Sequence, residues 1–216
     1  MAVLIETIIN NVARTLLDTA FRTWSRAEHV DNLNKAQRML CGDLKLDAYP
    51  LRDFIPLVAG IAQDLPAGAT GLIDISDNEV SGRAVTQTDL ALLQEENRFW
   101  PAATQQREVE NYAADPRVPR KFYVFPPNDG SGSVRATYGA FPDEATGSSG
   151  EAFALSDAYQ YPIEQIMLAL AYAKNSKRQD LSKFQAYMNE ARLALGLKSQ
   201  GQVALAPKTS QSPGVA

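Results

Sequence analysis

Apolar residues recur every three or four positions at both ends of this 216-residue chain, and in shorter, denser runs through its middle. In residues 3–20, Ile5, Ile8, Val12, Leu16 and Ala20 form one stripe and predict a first helix. A second opens at Ser25, whose hydroxyl is placed to cap free amides while Glu28 reaches back, and it sets Val30, Leu33, Ala36 and Leu40 on one face. Residues 158–175 predict a third, with Ile163, Ile166, Leu170 and Ala173 turned inward. Ser176 and Gln179 predict the start of a fourth. Along it Leu181, Phe184, Met188, Ala191 and Leu195 recur at helical spacing up to Gly196, a natural C-cap. Short connections make each pair an antiparallel hairpin, and two hairpins with bare stripes are expected to pack face to face as a four-helix bundle.

Between these ends the pattern changes. Residues 52–58 and 61–65 read as strands around Ala59-Gly60, Pro66-Ala67-Gly68 breaks the chain, and Leu72-Ile73-Asp74-Ile75 resumes extended character. Residues 84–86 predict a further strand, and Asp89 caps a short helix through Leu93. Phe99 and Trp100, before Pro101, are expected to plug the join between sheet and bundle. Residues 108–142 predict three strands in an antiparallel meander, joined by an Asp-Pro turn and a Pro-Pro-Asn-Asp-Gly-Ser-Gly turn. The middle strand is apolar at every position from Phe122 to Phe125, so both its faces should be covered. In the third, Val134, Ala136 and Tyr138 alternate with Ser133, Arg135 and Thr137, leaving one face to water. Residues 143–151 are a flexible return. The expected class is α+β: a single domain, 1–197, whose helices in 1–45 and 152–197 enclose an antiparallel β-rich insertion, 46–151. An extended C-terminal arm, 198–216, follows, with too little apolar content to order itself.

Composition narrows the function more than the fold. Apolar content of 45% and charge of 21% are those of an ordinary globular protein. The net charge is −4, and the last 19 residues hold two lysines and no acid, leaving −6 on residues 1–197. That sign argues against wrapping a polyphosphate and is compatible with a passage through which DNA slides without tight binding. One cysteine excludes an internal disulfide and fits a reducing compartment. The N-terminus lacks the basic stretch of a signal peptide, and no apolar run approaches the roughly 20 residues needed to span a bilayer. The expectation is a soluble protein made in a cytoplasm.

Catalytic signals are thin. The single histidine, His29, sits in a polar stretch just inside a helix start and reads as a solvated side chain. Cys41 ends an apolar stripe and reads as a small core residue. One Cys and one His offer no zinc cluster, no serine carries a G-x-S-x-G context, and Gly130-Ser131-Gly132-Ser133 lacks the ending of a phosphate cradle. Glu95-Glu96 and Asp143-Glu144 read as solvated pairs. Lys174, Lys177 and Arg178 suit a helix C-terminus first and a partner second. No catalytic residue, metal site or cofactor is expected; an unrecognised hydrolase is the alternative from another class.

Several segments, in this order, carry a resemblance: Asp31-Asn32-Leu33-Asn34-Lys35-Ala36-Gln37-Arg38, Pro56-Leu57-Val58-Ala59-Gly60, Asp64-Leu65-Pro66-Ala67-Gly68, Leu72-Ile73-Asp74-Ile75 through Asn78, and Gly82-Arg83-Ala84-Val85. Tyr112 through Asp115-Pro116 to Phe122-Tyr123-Val124-Phe125-Pro126-Pro127 and Ala171-Tyr172-Ala173-Lys174 complete the set. In their order and spacing they resemble the head-to-tail adaptor (connector) proteins of short-tailed bacteriophages, the group that includes tail tubular protein A. The resemblance implies a ring, usually of twelve copies, below the portal protein at the head–tail junction of a virion. The ring would prolong the DNA channel and offer a surface to the tail nozzle protein, with tail fibres a further candidate partner. It implies synthesis in the bacterial host cytoplasm and an arm that docks on the portal, for which Lys198, Gln202, Val203, Leu205 and Lys208 are the candidates. Tyr123, Phe125, Arg135, Lys174, Lys177 and Arg178 are the candidates for subunit or nozzle contacts. A head-completion or tail-terminator ring is the alternative within the structural class.

Overall fold

The computed structural model describes residues 3–96, 98–174 and 177–197. Their helices are α1 (Ile5–Thr15), α2 (Arg26–Met39), α3 (Leu90–Glu96), α4 (Gln160–Ala173) and α5 (Leu181–Ala194). The strands are β1 (Pro50–Pro56), β2 (Gly60–Asp64), β3 (Ala69–Asn78), β4 (Thr86–Gln87), β5 (Asn111–Ala114), β6 (Lys121–Asn128) and β7 (Ser133–Ala140). A π-helical turn, Leu40–Leu44, prolongs α2, and 3-10 turns occupy Trp100–Ala102 and Asp157–Tyr159. The α+β class therefore holds. The chain divides into two compact units: the described residues of Met1–Ala36 with Ala145–Ala216, and Gln37–Glu144.

In the helical unit α4 is the hub. Ile163, Ile166, Met167, Leu168, Ala169 and Ala171 are all buried, so this helix is covered on most of its sides. The helix pairs in extensive contact are α4 with α5 and α4 with α1. A four-helix bundle is not established by these pairings. α5 begins at Leu181, later than the expected start at Ser176, which lies outside the described residues. Asp180 caps it by accepting from the Ser182 and Lys183 amides at 3.0 and 3.1 Å. Its stripe is only partly covered: Ala191 is buried and Phe184, Met188 and Leu195 are half-buried, whereas Leu181 is 61% exposed.

α1 also departs from expectation, stopping at Thr15 instead of running to residue 20. Leu17 adopts a left-handed φ of 56°, and the Asp18 amide bonds back to the Ala13 carbonyl while the Leu17 amide bonds to that of Arg14. This is a Schellman stop without the usual glycine, which is why no sequence signal marks it. The Asp18 carboxylate then accepts the amides of Arg22, Thr23 and Trp24 at 2.9, 2.7 and 2.9 Å and folds the α1–α2 loop around itself. α2 opens with the expected capping box: the Ser25 amide donates to Glu28 at 2.9 Å, and the Glu28 amide to the Ser25 hydroxyl at 3.2 Å. Asn34, farther along α2, exchanges two hydrogen bonds with the Ala145 backbone.

The second unit is built on two sheets, ordered β1-β7-β3 and β2-β6-β5-β4. Their inner faces supply one core, including Ile55, Ile75, Tyr112, Phe122, Val124 and Val134. β7 alternates as its sequence predicts, Val134, Ala136 and Tyr138 being buried and Arg135 half-exposed. Two corrections to the expected antiparallel β-rich insertion follow. β5 and β6 do form an antiparallel hairpin, but β7 leaves them and pairs with β1 and β3 in the other sheet. β4 runs parallel to β5, because the long connection through α3 returns the chain in the same direction.

Pro126 and Pro127 at the end of β6 have no N–H to continue a ladder. Asn128, fully buried, takes over: its amide donates to the Gln106 and Arg107 carbonyls at 3.2 and 2.8 Å, and its oxygen accepts from Gly130 and Gly132 at 2.8 and 3.2 Å. A Cβ at Gly132 would collide with the Arg107 carbonyl oxygen and the Asn128 amide, so only glycine fits the crossing. Buried Asn78 acts similarly at the end of β3, donating to Val109 O at 2.8 Å and accepting from Val109 N at 2.9 Å.

The stop at Leu17 is testable. Its side chain is 91% exposed and its backbone is left-handed, so Leu17→Gly removes strain while giving up almost no burial. Urea denaturation should show the variant more stable than the parent by about 0.5–1 kcal/mol with an unchanged m value.

Candidate interaction surfaces

Neither reactive side chain of the sequence reading is set up for chemistry. His29 is fully buried rather than solvated: its ring packs edge-on against Phe21 at 5.6 Å, and among the described residues neither ring nitrogen has a hydrogen-bond partner. Burial drives its pKa down, opposed by the Asp18 and Glu28 carboxylates. The polar residues beside it in the chain concealed that position 29 falls on the buried face of α2 with Leu33 and Ala36. Cys41 is a buried core residue, as expected, and burial raises its thiol to about 11. Among the described residues no group of acidic, histidine and cysteine side chains could hold a metal ion, and no helix is long and apolar enough to cross a membrane.

Among the described residues, cations and aromatics gather where α4 gives way to α5. Buried Trp24 reaches this place because the Asp18-centred loop holds its amide and the Ala171 carbonyl accepts its indole N–H at 3.3 Å. Tyr172, on the last turn of α4, meets Trp24 edge-on at 6.5 Å and stacks on Tyr187 of α5 at 5.8 Å with the rings nearly parallel. Over these rings stand Arg178, 5.4 Å from the Trp24 centroid, and Lys183, 4.8 Å from that of Tyr172. With Lys177 and Asp180 they line an open pocket of about 340 Å³. Lys174 instead pairs with Glu28, and this bond, together with the Ser25 amide, holds the Glu28 carboxyl below its usual range.

Three of the six predicted contact residues, Lys174, Lys177 and Arg178, thus fall in one neighbourhood. The other three lie in the β unit. Arg135 sits over the Phe54 ring at 4.6 Å, with its Nε 3.5 Å from Asp77, on the outward face of β7. Phe54 remains 42% exposed there. Tyr123 and Phe125 are half-buried on β6, and Tyr123 meets Trp100 edge-on at 6.3 Å. Trp100 is buried against β6, whereas Phe99 is 79% exposed. Lys198, Gln202, Val203, Leu205 and Lys208 lie outside the described residues. The sequence reading missed Lys183, Tyr172 and Trp24. The basic run from Lys174 to Arg178 marked the place, but nothing in the chain pointed to a tryptophan some 150 positions earlier.

A sequence model described as SU10 adaptor protein matches residues 5–211, most of the chain. No curated protein matches it.

Two measurements check these environments. Because His29 is neutral and buried when folded but free to take a proton near pH 6.5 when unfolded, stability is held above that pH and lost as pH falls below it. Between pH 7.5 and 5 the unfolding free energy from urea denaturation should fall more for the parent than for His29→Leu, by up to about 1.4 kcal/mol per pH unit below 6.5. Cys41 should be inert to a thiol reagent at pH 8 in the native protein and react at once in denaturant.

Proposed function

Because the chain belongs to the SU10 adaptor protein family, a family of bacteriophage structural proteins and not of enzymes, we propose that it is the ring-forming adaptor of a head–tail junction. In this reading copies of the chain, twelve by analogy with the resemblance, sit below the portal protein, extend the DNA channel and present a surface to the tail nozzle. The observation that carries it is the family match over residues 5–211, which takes in both compact units and most of the terminal segment.

The physical features are compatible with a scaffold. Cations, aromatics and apolar side chains remain at the surface in both units. Double-stranded DNA passes without tight binding in this reading, since residues 1–197 carry −6. Residues 1–197 act as the adaptor body and 198–216 as the portal-docking arm, with Val203 and Leu205 as small apolar anchors and Lys198, Gln202 and Lys208 as polar contacts. Each arm alone binds weakly, and many arms on one ring raise the effective concentration. The isolated chain is mainly monomeric and assembles on the portal.

Truncation after Leu197 tests this. The melting temperature should move by less than about 2 °C if, as in this reading, the arm packs against nothing in the body. Co-sedimentation with purified portal should weaken by roughly a hundredfold or more, and Val203→Ser with Leu205→Ser should reproduce part of that loss. A truncated chain that still saturates the portal would overturn the arm assignment. A full-length chain that never binds the portal would overturn the junction reading itself.

A further inference from the structure

His29 is the only histidine of the chain, and it is 0% exposed with neither ring nitrogen hydrogen-bonded among the described residues. A neutral ring so placed forgoes hydrogen bonds; a protonated one forgoes the hydration of a full charge, which costs far more. Its position adds to that cost. His29 stands on the first turn of α2, its amide bonding to the Ser25 carbonyl at 3.1 Å, so a positive charge there meets the positive end of the helix. The carboxylates whose fields reach the ring are Asp18 from the α1–α2 loop and Glu28 from α2, and both are committed elsewhere. Asp18 holds the amides of Arg22, Thr23 and Trp24 and feels the Arg178 charge, while Glu28 holds the Ser25 amide and pairs with Lys174 of α4.

What covers the ring is a surface loop. Phe21 lies edge-on to it and is itself half-buried, and the residues on either side, Thr19, Ala20, Arg22 and Thr23, are exposed. Asp18 and Trp24 are the buried anchors of the segment. Leu17 and Phe21 adopt left-handed φ values of 56° and 52°, a conformation that neither side chain favours. The loop is therefore held closed by the three hydrogen bonds to Asp18 against its own backbone preference. α4, by contrast, is buried on most of its sides. Lifting the loop is the least disruptive way to bring water to His29, and it leaves the helical core packed.

We propose that residues 17–24 form a proton-operated lid: when His29 takes up a proton, Phe21 and the Asp18-held turn lift away from α2 while α4, α5 and the sheets stay folded. A ring in the open form protonates near pH 6.5, whereas the closed form resists the charge. The open population therefore rises as pH falls below about 6.5, by up to about tenfold per pH unit. The effect reaches the α4–α5 turn through Trp24, whose amide is anchored by Asp18, whose indole N–H is anchored by the Ala171 carbonyl, and whose ring lies under Arg178. Releasing the first anchor loosens the aromatic platform there, so that surface is pH-dependent whatever the chain assembles with.

Hydrogen exchange on the full chain tests the lid. After correction for intrinsic exchange, protection of the Arg22, Thr23 and Trp24 amides should fall by up to about tenfold between about pH 6.5 and 5.5, from a level already below that of the α4 amides. About 0.5 M urea should leave the lid amides unchanged while lowering protection in α4, because lifting the lid exposes little surface. Phe21→Ala should open the lid at neutral pH, and His29→Leu should remove its pH dependence. The single histidine also gives one set of ring resonances, which report on the parent directly even if a variant fails to fold. They should titrate with a midpoint below about 6.5. Lid amides that share the protection and urea response of α4 overturn the proposal, since the opening is then global. So do protection that ignores pH, a pH dependence that persists in folded His29→Leu, a folded Phe21→Ala protected like the parent, or a ring that titrates at or above about 6.5.

Discussion

A strand that leaves one sheet for another takes its backbone donors and acceptors out of the ladder, and a buried turn can survive only if something else bonds them. In this chain the Asn128 carboxamide does so, with two carbonyls and two amides satisfied from a single fully buried side chain. Because that crossing is possible, β6 and β7 line opposite sheets, and Phe122 and Val124 from one meet Val134 and Ala136 from the other in one core. Asn78 repeats the device and ties the end of β3 to the entry of β5. Both amides are worth more for what they permit than for their own bonds, since a net hydrogen bond contributes only about 1 kcal/mol.

The helical unit uses a carboxylate for a related task. Asp18 gathers three consecutive amides, and those amides with the Leu17 reversal decide where α1 stops and where Trp24 lies. Trp24 in turn is the platform for Arg178 and the neighbour of Tyr172, so the basic-aromatic pocket depends on a loop far from it in the chain. His29 is buried beside the same loop without a hydrogen-bond partner, which links the integrity of this region to pH.

These features suit a protein whose work is to hold others. Membership in the SU10 adaptor family makes this chain a bacteriophage structural adaptor and a component of a virion. The two units differ in charge, a net −6 on residues 37–144 against a balance of acids and bases on 1–36 with 145–197. On α5, Leu181 and Leu193 are exposed and leave apolar area in the helical unit.

Much was legible in the chain because the signal was local. The α+β class, the capping box of Ser25 and Glu28, the alternation along β7, the buried Cys41 and the basic run at Lys174, Lys177 and Arg178 each depend on residues a few positions apart. The colinear fragments sufficed to indicate the adaptor family, since order and spacing survive when individual positions drift. What was misread depended on partners distant in sequence. β7 was expected beside β6, and only the Asn128 crossing sends it to the other sheet. α1 was expected to continue, but Asp18 and a left-handed leucine end it without a glycine to announce the stop. His29 looked solvated because its sequence neighbours are polar, yet its helical neighbours at 33 and 36 are core. Trp24 and Lys183 joined the basic run only once α5 folded back along α4. Periodicity and capping act over one or two turns and are written in the chain; sheet exchange, burial of a lone polar group and assembly of a pocket are set by which surfaces close over one another, and no local pattern encodes that.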